Sequence, residues 1–429
     1  MRINYGQKVV ERISFLLLTG IFYFYNNYIT IGGFGVGYQY IGCILVVGIG
    51  FCLFLVIPDL PFLYHAAKAA GVLALSYFVA MIGSAIIWIF TFTPIRQMIS
   101  GFFEPAYMML CVACAMALAY ILRERMLTCT FWALTTAFFA LLVPRILEFG
   151  FAEYLRRLIA YLQSGGTQGY GISLEETSFA YLYVFFAIYF GFHWKELPIW
   201  KRFAKVFIIV FALLNTFKRS GLLALAVGFA LAFVYFRLGE VTRRYFLNFI
   251  MVAFILAAFL YIPFVRYGLF NRIAEALQLR TSHRNEIYAF YSQYYDFGLD
   301  YLGRGLGWIQ RLRHQIEFFS NGEIAINVHC DYVYYYIELG FWGYLFWMIS
   351  AFPWVVKWAV KGKCVKKDAT VLGTGVAFAM LRLTENISFL YSAVLGFSVI
   401  IMYCALSSIY MDEQTPRVAK EGRNKLHFL

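Results

Sequence analysis

Residues 203–237 have the sequence FAKVFIIVFALLNTFKRSGLLALAVGFALAFVYFR, in which two apolar arms flank the basic pair Lys218 and Arg219. The arms hold about 15 and 16 residues and would rise about 22–24 Å as α-helix. This rise is less than the ~30 Å hydrocarbon core of a membrane. We therefore expect a helical hairpin with both cations below the membrane surface. An ionised side chain there costs at least ~2–3 kcal/mol unless it faces water, a carboxylate or an anionic ligand.

The whole chain has the composition of an integral membrane protein. Of its 429 residues, 62% are hydrophobic and 14% are charged, which is more apolar surface than a soluble core can bury. At about 20 residues per crossing, the apolar runs predict about twelve transmembrane helices, near 13–30, 38–57, 69–91, 105–122, 127–147, 177–193, 203–217, 221–236, 246–265, 333–356, 369–387 and 388–408. The prediction is an all-α polytopic membrane protein with a single integral membrane domain, 1–429.

Basic residues cluster in alternate connections between these runs, as the positive-inside rule requires of cytoplasmic loops. The clusters are Arg123 with Arg125, Lys195 with Lys201 and Arg202, Arg237 with Arg243 and Arg244, and Lys361 with Lys363, Lys366 and Lys367. They account for the net charge of +13 without nucleic-acid binding. The first run contains Asn26 and Asn27, so we interpret it as a span rather than a signal peptide. The N-terminus is then cytoplasmic, and two longer loops, 148–176 and 266–332, face the outside.

The sequence does not favour a metal site or a disulfide framework. Most of the eight cysteines lie inside apolar runs, and only Cys330 falls in the 266–332 loop, so no paired framework is expected. Cys111 and Cys114 form a CxxC within an apparent helix, where small-residue packing is the simpler interpretation. Neither outer loop contains an Asp-x-Asp pair. We therefore expect no metal and no other cofactor.

Arginine is the basic residue of the 266–332 loop, which has no lysine. Its members are Arg266, Arg272, Arg280, Arg284, Arg304, Arg311 and Arg313. The planar guanidinium suits bidentate capture of phosphate oxygens, so this choice predicts an anionic ligand, although a charge run is also typical of a solvated surface. Arg284 is the preferred ligand because Ser282 can cap a helix from about 283, whose first turn attracts anions. Arg280 is the second candidate.

Two local patterns in the loop predict backbone structure. Ile287, Tyr291 and Tyr294 recur at i, i+4 and i+7, which gives an apolar helix face that we expect to rest on the membrane surface. The sequence Gly303-Arg304-Gly305-Leu306-Gly307 lacks the spacing and strand context of a dinucleotide site. We therefore interpret it as a tight turn.

His329 stands just before the span that begins at Asp331, which places it at the outer membrane edge. With an ordinary pKa near ~6.5, histidine can accept a proton from a hydroxyl at neutral pH. Asp331 and Glu338 could orient it. The structural alternatives stay open: a lone histidine is often only a hydrogen-bonded residue, and Arg219 could snorkel or pair with Glu385 or Glu338. His283 and His314 are rival histidines, but neither adjoins a span.

Three motifs taken together resemble the O-antigen polymerase and O-antigen ligase superfamily of bacterial membrane glycosyltransferases. They are NTFKRSGLLALAVGFALAF at 215–233, RNEIY followed by GRGLGW between 284 and 308, and NVHCDYVYYYIELGFWG at 327–343. The superfamily pattern is a basic turn between two spans, an arginine that opens the large loop, a Gly-x-Gly, and a histidine segment leading to Glu-x-Gly. The resemblance implies a GT-C-like fold of membrane helices.

The resemblance also implies substrate and roles. Arg219 and Arg284 would hold the diphosphate of an undecaprenyl-diphosphate-linked glycan, and His329 would activate the acceptor hydroxyl. A small residue is commoner before the first arginine, so Lys218 is a further candidate phosphate ligand; Asp331, Glu338 and Glu385 would support the site. The expected partners are the lipid-linked glycan, membrane lipids and a chain-length regulator, at the outer face of the bacterial cytoplasmic membrane.

Three functions remain open at this stage. The first is a polymerase that joins lipid-linked repeat units of O-antigen or exopolysaccharide by metal-independent, inverting transfer. The second is a ligase that moves a finished glycan onto lipid A core, from the same donor. The third belongs to another class, a transporter or flippase with Arg219 at its centre, and it predicts ionisable residues near the membrane midplane.

Overall fold

The computed structural model describes residues 5–25, 27–31, 34–164, 177–196, 198–276, 284–319 and 328–407. Within these residues the chain is almost wholly α-helical. The helices are α1 (Tyr5–Tyr23), α2 (Tyr38–Val56), α3 (Leu60–Thr91), α4 (Ile95–Leu122), α5 (Met126–Phe149), α6 (Phe151–Gln163), α7 (Thr177–His193), α8 (Ile199–Thr216), α9 (Arg219–Arg237), α10 (Glu240–Arg266), α11 (Leu269–Ala276), α12 (Arg284–Ser292), α13 (Trp308–Phe319), α14 (Asp331–Ala351), α15 (Pro353–Ala359), α16 (Val365–Thr384) and α17 (Tyr391–Ser407). Between α1 and α2, β1 (Tyr28–Ile31) and β2 (Phe34–Gly37) form a short antiparallel hairpin.

Six helical segments in the described part of the chain are long and apolar enough to cross a membrane. By length and composition they are Tyr38–Val56, Leu60–Thr91, Ile95–Phe149, Arg219–Arg237, Glu240–Arg266 and Asp331–Ala359. The third segment contains both α4 and α5, joined by a 3-10 turn at Arg123–Arg125. The predicted class, an all-α polytopic membrane protein, is confirmed. The total of about twelve spans stays a prediction.

The predicted end of the first span is wrong. Helix α1 ends at Tyr23, and the following Tyr28–Ile31 pairs with β2 instead of continuing a helix. The sequence of this strand, Tyr-Ile-Thr-Ile, is aromatic and β-branched throughout, which favours extended backbone. Hydropathy alone does not separate such a strand from the end of an apolar helix.

Helices α9 and α16 pack at close range through glycines. A Cβ on Gly228 would lie 2.6 Å from the carbonyl oxygen of Gly373, and a Cβ on Gly373 would lie 2.9 Å from the Cβ of Ala232. Small residues of this kind let two helix backbones approach closely within a membrane. This contact fixes the first residues of α9 relative to the last residues of α16, which matters for the site described below.

Helix α14 is broken at Gly340, whose φ of +68° is favoured only by glycine. The break frees carbonyl groups in the middle of a buried helix, where an unpaired group is costly. The N–H groups of Arg304 and Gly305 donate to the carbonyl oxygen of Glu338 at 3.1 and 2.7 Å. Gly303 and Gly305 have φ of +89° and +77°. The glycine-rich segment is therefore the predicted tight turn, and it restores hydrogen bonds that the break removes.

The apolar face of α12 packs on the protein. Tyr288 and Tyr291 are buried, and the hydroxyl of Tyr288 accepts a hydrogen bond of 3.2 Å from Tyr261 on α10. The prediction that Ile287, Tyr291 and Tyr294 rest on the membrane surface is wrong. An apolar stripe shows that a helix has an apolar partner, but it does not identify whether that partner is lipid or protein.

Candidate functional site

Four segments meet at one end of the helix bundle, which we call the site end. They are the turn between α8 and α9, the first turn of α12, the residues just before α14 and the residues just after α16. They bring the predicted residues Arg284 and His329 to the carboxylate of Glu385, with Lys218 near His329. The cluster therefore combines three basic side chains with one acidic side chain.

Glu385 is the centre of this cluster. Its Oε1 lies 3.5 Å from Nη2 of Arg284, and its Oε2 lies 3.8 Å from Nδ1 of His329. The hydroxyl of Ser220 in the first turn of α9 donates to Oε1 at 3.3 Å. One carboxylate is thus within ion-pair distance of both a guanidinium and an imidazole.

The end of α16 explains where Glu385 and Arg284 lie. Helix α16 stops at Thr384, and Glu385 adopts extended backbone with φ of −149° and ψ of 164°. Nη2 of Arg284 donates to the carbonyl oxygen of Thr384 at 2.6 Å. Carbonyl groups at a helix C-terminus lack intrahelical donors and carry partial negative charge, so a cation is favourable there. Arg284 is therefore held by a helix end as well as by a carboxylate.

His329 lies in the two-residue approach to α14 and is half-buried. Burial lowers the pKa of His329, the Glu385 carboxylate partly opposes this change, and the cations of Arg284 and Lys218 lower the pKa further. The lowered pKa favours the neutral imidazole at pH 7. One of its nitrogens then carries a lone pair that can accept a proton.

A second, buried cluster anchors the backbone next to His329. The N–H of Ser388 donates to Oδ2 of Asp331 at 2.8 Å, and Nε of Arg382 lies 4.0 Å from the same oxygen. The N–H of Cys330 donates to Oδ1 of Asn386 at 3.1 Å. These contacts tie the start of α14 to the segment after α16. They fix the separation between His329 and Glu385.

Two of the predicted supporting carboxylates have other contacts. The carboxylate of Asp331 faces Ser388 and Arg382, as just described, and Oε1 of Glu338 accepts a hydrogen bond of 3.0 Å from the N–H of Ile309 at the start of α13. Both carboxylates are completely buried. Any part they take in orienting His329 is therefore indirect, and Glu385 is the carboxylate that lies beside the imidazole.

The remaining predicted residues have the following positions. Arg219 begins α9 between Lys218 and Ser220, and its side chain is exposed. Arg280 and the proposed cap Ser282 lie outside the described residues, as does the rival histidine at 283. Among the residues that the structure describes, no group of three His, Cys, Asp or Glu side chains is placed to hold a metal ion.

Residues 204–348 match the family model described as O-antigen ligase. This segment is therefore similar to the O-antigen polymerase and ligase superfamily. The match covers about a third of the 429 residues. No curated protein matches the chain. The resemblance predicted from the three motifs is confirmed.

Glu385 and Asn386 lie beyond the matched segment in the sequence. Sequence reasoning named Glu385 only as a partner of Arg219 or a supporting residue, and it did not name Asn386. The sequence did contain a signal for this site. The polar residues Thr384 to Asn386 lie at the end of the predicted span 369–387, and no loop separates that span from the next one. A polar interruption at such a junction marks a helix end, and helix ends often bind ions.

Proposed function

We propose that this protein is a membrane glycosyltransferase that polymerises undecaprenyl-diphosphate-linked oligosaccharide repeat units of O-antigen or exopolysaccharide. The single observation that carries the proposal is the meeting of Arg284 and His329 at Glu385, with Lys218 near His329, at one end of a membrane bundle. The match to the O-antigen ligase family model supports the same chemical class. A diphosphate needs cations, and a hydroxyl nucleophile needs a base.

The cations bind the diphosphate of the donor. Among the described residues, Arg284 contacts Thr384 and Glu385 through Nη2. A guanidinium has five N–H donors, so we expect Nη1 and Nε to bind phosphate oxygens. Lys218 and Arg219, at the start of α9, supply further positive charge. This charge stabilises the diphosphate most when it departs, which lowers the barrier of the transfer.

The transfer is a single displacement. The acceptor hydroxyl oxygen attacks the anomeric carbon of the donor sugar from the side opposite the diphosphate. As the new glycosidic bond forms, the bond from the anomeric carbon to the diphosphate oxygen breaks, and its electron pair leaves with undecaprenyl diphosphate. The hydroxyl proton passes to His329, and the resulting imidazolium is stabilised by Glu385 beside it. The configuration at the anomeric carbon is inverted.

The proposal places the site at the outer face of the bacterial cytoplasmic membrane. The alternation of basic loops along the sequence puts the α8–α9 turn and the 266–332 loop on the outside. A lipid-linked repeat unit that has already crossed the membrane would meet the site there. The lipid diphosphate bond then supplies the free energy of polymerisation.

A ligase that moves the finished glycan onto lipid A core is the second candidate, because the matched family model is described as O-antigen ligase. The two reactions share the donor and differ in the acceptor. Purified protein in lipid vesicles, supplied with lipid-linked repeats alone, will form a ladder of products if it is a polymerase. A strict requirement for lipid A core would identify a ligase instead.

The same assay separates both enzymes from a transporter. Arg219→Ala, Arg284→Ala and His329→Ala are expected to abolish ladder formation while expression in the membrane stays unchanged. Full activity in all three variants would overturn the glycosyl-transfer proposal. The polar cluster would then have to serve transport or structure.

A further inference from the structure

Helix α6 has three different faces along its thirteen residues. It follows α5 directly, after a sharp bend at Gly150, where φ is +76°. Tyr154, Leu158 and Tyr161 recur at i, i+4 and i+7 and are buried against the protein. This spacing is that of a helix with one apolar face packed on a core.

The second face of α6 is apolar and exposed. Phe151, Leu155 and Ile159 recur every four residues, and they are 69%, 43% and 48% exposed. Large apolar side chains in an exposed row indicate an apolar partner. On α5, Val143 and Leu147 are also exposed, four residues apart in the sequence.

The third face is charged. Arg156 and Arg157 pair with Glu153 at 2.6 and 2.8 Å, and the guanidinium of Arg157 also lies 4.2 Å from the ring centroid of Phe149. A helix with one face packed on protein, one exposed apolar face and one charged face is typical of a membrane interface. There the apolar face contacts acyl chains and the charged face contacts headgroups and water.

The buried face of α6 rests on the basic turn of the site. The hydroxyl of Tyr154 donates to Oδ1 of Asn215, and the ring of Tyr161 packs edge-on against Phe217 with a centroid separation of 6.1 Å. Nδ2 of Asn215 in turn donates to the carbonyl oxygen of Phe211 at 2.8 Å. Asn215 and Phe217 immediately precede Lys218 in the chain. The position of α6 therefore determines the position of this turn.

We propose that α6 lies in the membrane interface at the site end, with Phe151, Leu155 and Ile159 inserted among phospholipid acyl chains. The charged face then lies at headgroup level. Because Tyr154 and Tyr161 join α6 to the α8–α9 turn, the helix holds Lys218 and Arg219 at the depth of lipid phosphates. A lipid-linked donor that diffuses in the leaflet reaches these cations over α6. This entrance role rests on the proposed function, whereas the lipid contact itself does not.

Site-specific photocrosslinking tests the lipid contact without measuring activity. The full chain carries p-benzoylphenylalanine at Leu155 or Ile159 and is reconstituted in vesicles of phosphatidylethanolamine and phosphatidylglycerol. We expect phospholipid adducts by mass spectrometry at both positions. The matched control carries the probe at Arg156, on the charged face of the same helix, and is expected to give several-fold fewer adducts. Crosslinks to a second copy or to another segment of this chain, or equal adducts at Arg156, would overturn the proposal.

A second measurement tests the entrance role. Tyr154→Phe keeps the ring but removes the hydroxyl that holds Asn215, so the turn is less well positioned while α6 stays packed. Loss of one such hydrogen bond is expected to raise the KM for the lipid-linked donor roughly 2–10-fold with little change in kcat. An unchanged KM in a protein that still forms lipid adducts at Leu155 would overturn the entrance role. Complete inactivity of the wild-type protein in the ladder assay would instead refute the proposed function.

Discussion

Two arginine–carboxylate pairs lie side by side at the site end and differ mainly in exposure. Arg284 and Glu385 are separated by 3.5 Å, and their side chains are 25% and 18% exposed. Arg382 and Asp331 are separated by 4.0 Å, and their side chains are 3% and 0% exposed. Both pairs join the end of α16 to another segment, so the comparison isolates the effect of access to solvent.

Access determines what each pair can do. A partly exposed ion pair contributes little to stability, and we expect its open side to admit a diphosphate beside the carboxylate. A buried ion pair is closed to such a ligand, and removing one member leaves an uncompensated charge. The molecule therefore places an accessible pair next to a fixed one. The fixed pair holds the backbone on which His329 and Glu385 depend.

The largest expected effect comes from His329, which lies beside the accessible pair. His329→Ala removes the proposed general base and is expected to lower kcat by about 10²–10⁴-fold, measured as glycosyl transfer by the purified protein. Stability should change little because the side chain is half-buried and lies outside a helix. His314→Ala, in the same loop, is the control and should keep near-normal turnover. A loss with His314→Ala but not with His329→Ala would show that the wrong histidine was chosen.

Breaking the buried pair of Arg382 and Asp331 should lower the stability of the protein rather than act directly on the glycosyl-transfer step. Arg382→Met leaves Asp331 buried without its cation, and breaking such a pair is expected to cost about 3–5 kcal/mol of unfolding free energy. The measurement is unfolding of the protein in detergent. The double variant Arg382→Met/Asp331→Asn removes both charges and should recover part of the loss. Equal stability of the single and double variants would contradict the pairing.

Arg284→Ala sharpens the contrast because it breaks the accessible pair. We expect about a 10²–10³-fold fall in kcat/KM with the lipid-linked donor, since a charged contact to the departing diphosphate is lost. Arg284→Lys should recover only part of this, because lysine lacks the planar fork. Arg311→Ala, on α13 in the same loop, is the matched control. An equal fall in both alanine variants would indicate a diffuse positive field instead of a specific ligand.

The sequence was informative where the physical signal is local. Apolar runs predicted the helices, since each α-helix satisfies its own backbone hydrogen bonds in a membrane. The glycine-rich turn at residues 303–307 was also predictable. Its contact with the break in α14 was not, because the break at Gly340 is recognisable only when the turn and α14 are seen together. The order of motifs further predicted that Arg219, Arg284 and His329 would converge, with Lys218 as a further phosphate ligand. The structure places Arg284 and His329 beside Glu385, with Lys218 near His329, whereas the side chain of Arg219 is exposed. Their catalytic roles stay predictions.

The misses have a common cause, which is long-range pairing. Glu385 is separated from His329 by more than fifty residues, and nothing in its local sequence identifies its partners. The apolar face of α12 was assigned to lipid because a stripe alone does not distinguish lipid from protein. The same ambiguity applies to α6, where the structure separates a buried stripe from an exposed one.

The smallest expected effect concerns the charge of Glu385. His329 must be neutral to accept a proton, so kcat/KM should fall as the pH drops through the pKa of His329. Burial lowers this pKa, as do Arg284 and Lys218, whereas Glu385 raises it. The fall of kcat/KM on the acid side of the pH profile, its acid limb, should therefore have its midpoint below the ordinary histidine pKa of about 6.5. Glu385→Gln removes the charge that favours the imidazolium, so the limb should move to still lower pH.

Lys218→Met provides the opposite change, because it removes a cation that disfavours the imidazolium. The acid limb of the pH profile of Lys218→Met should move to higher pH. For Glu385→Gln, the plateau value of kcat/KM should fall at most about fivefold, as expected for a partly exposed pair worth ~0.2–1 kcal/mol. The measurement is kcat/KM for glycosyl transfer between pH 5 and pH 8. Limbs that move in the same direction in both variants would show that Glu385 does not act on His329 through its charge. Opposite movements would show that the charge of Glu385 acts on the proposed base, because a structural role alone shifts neither limb.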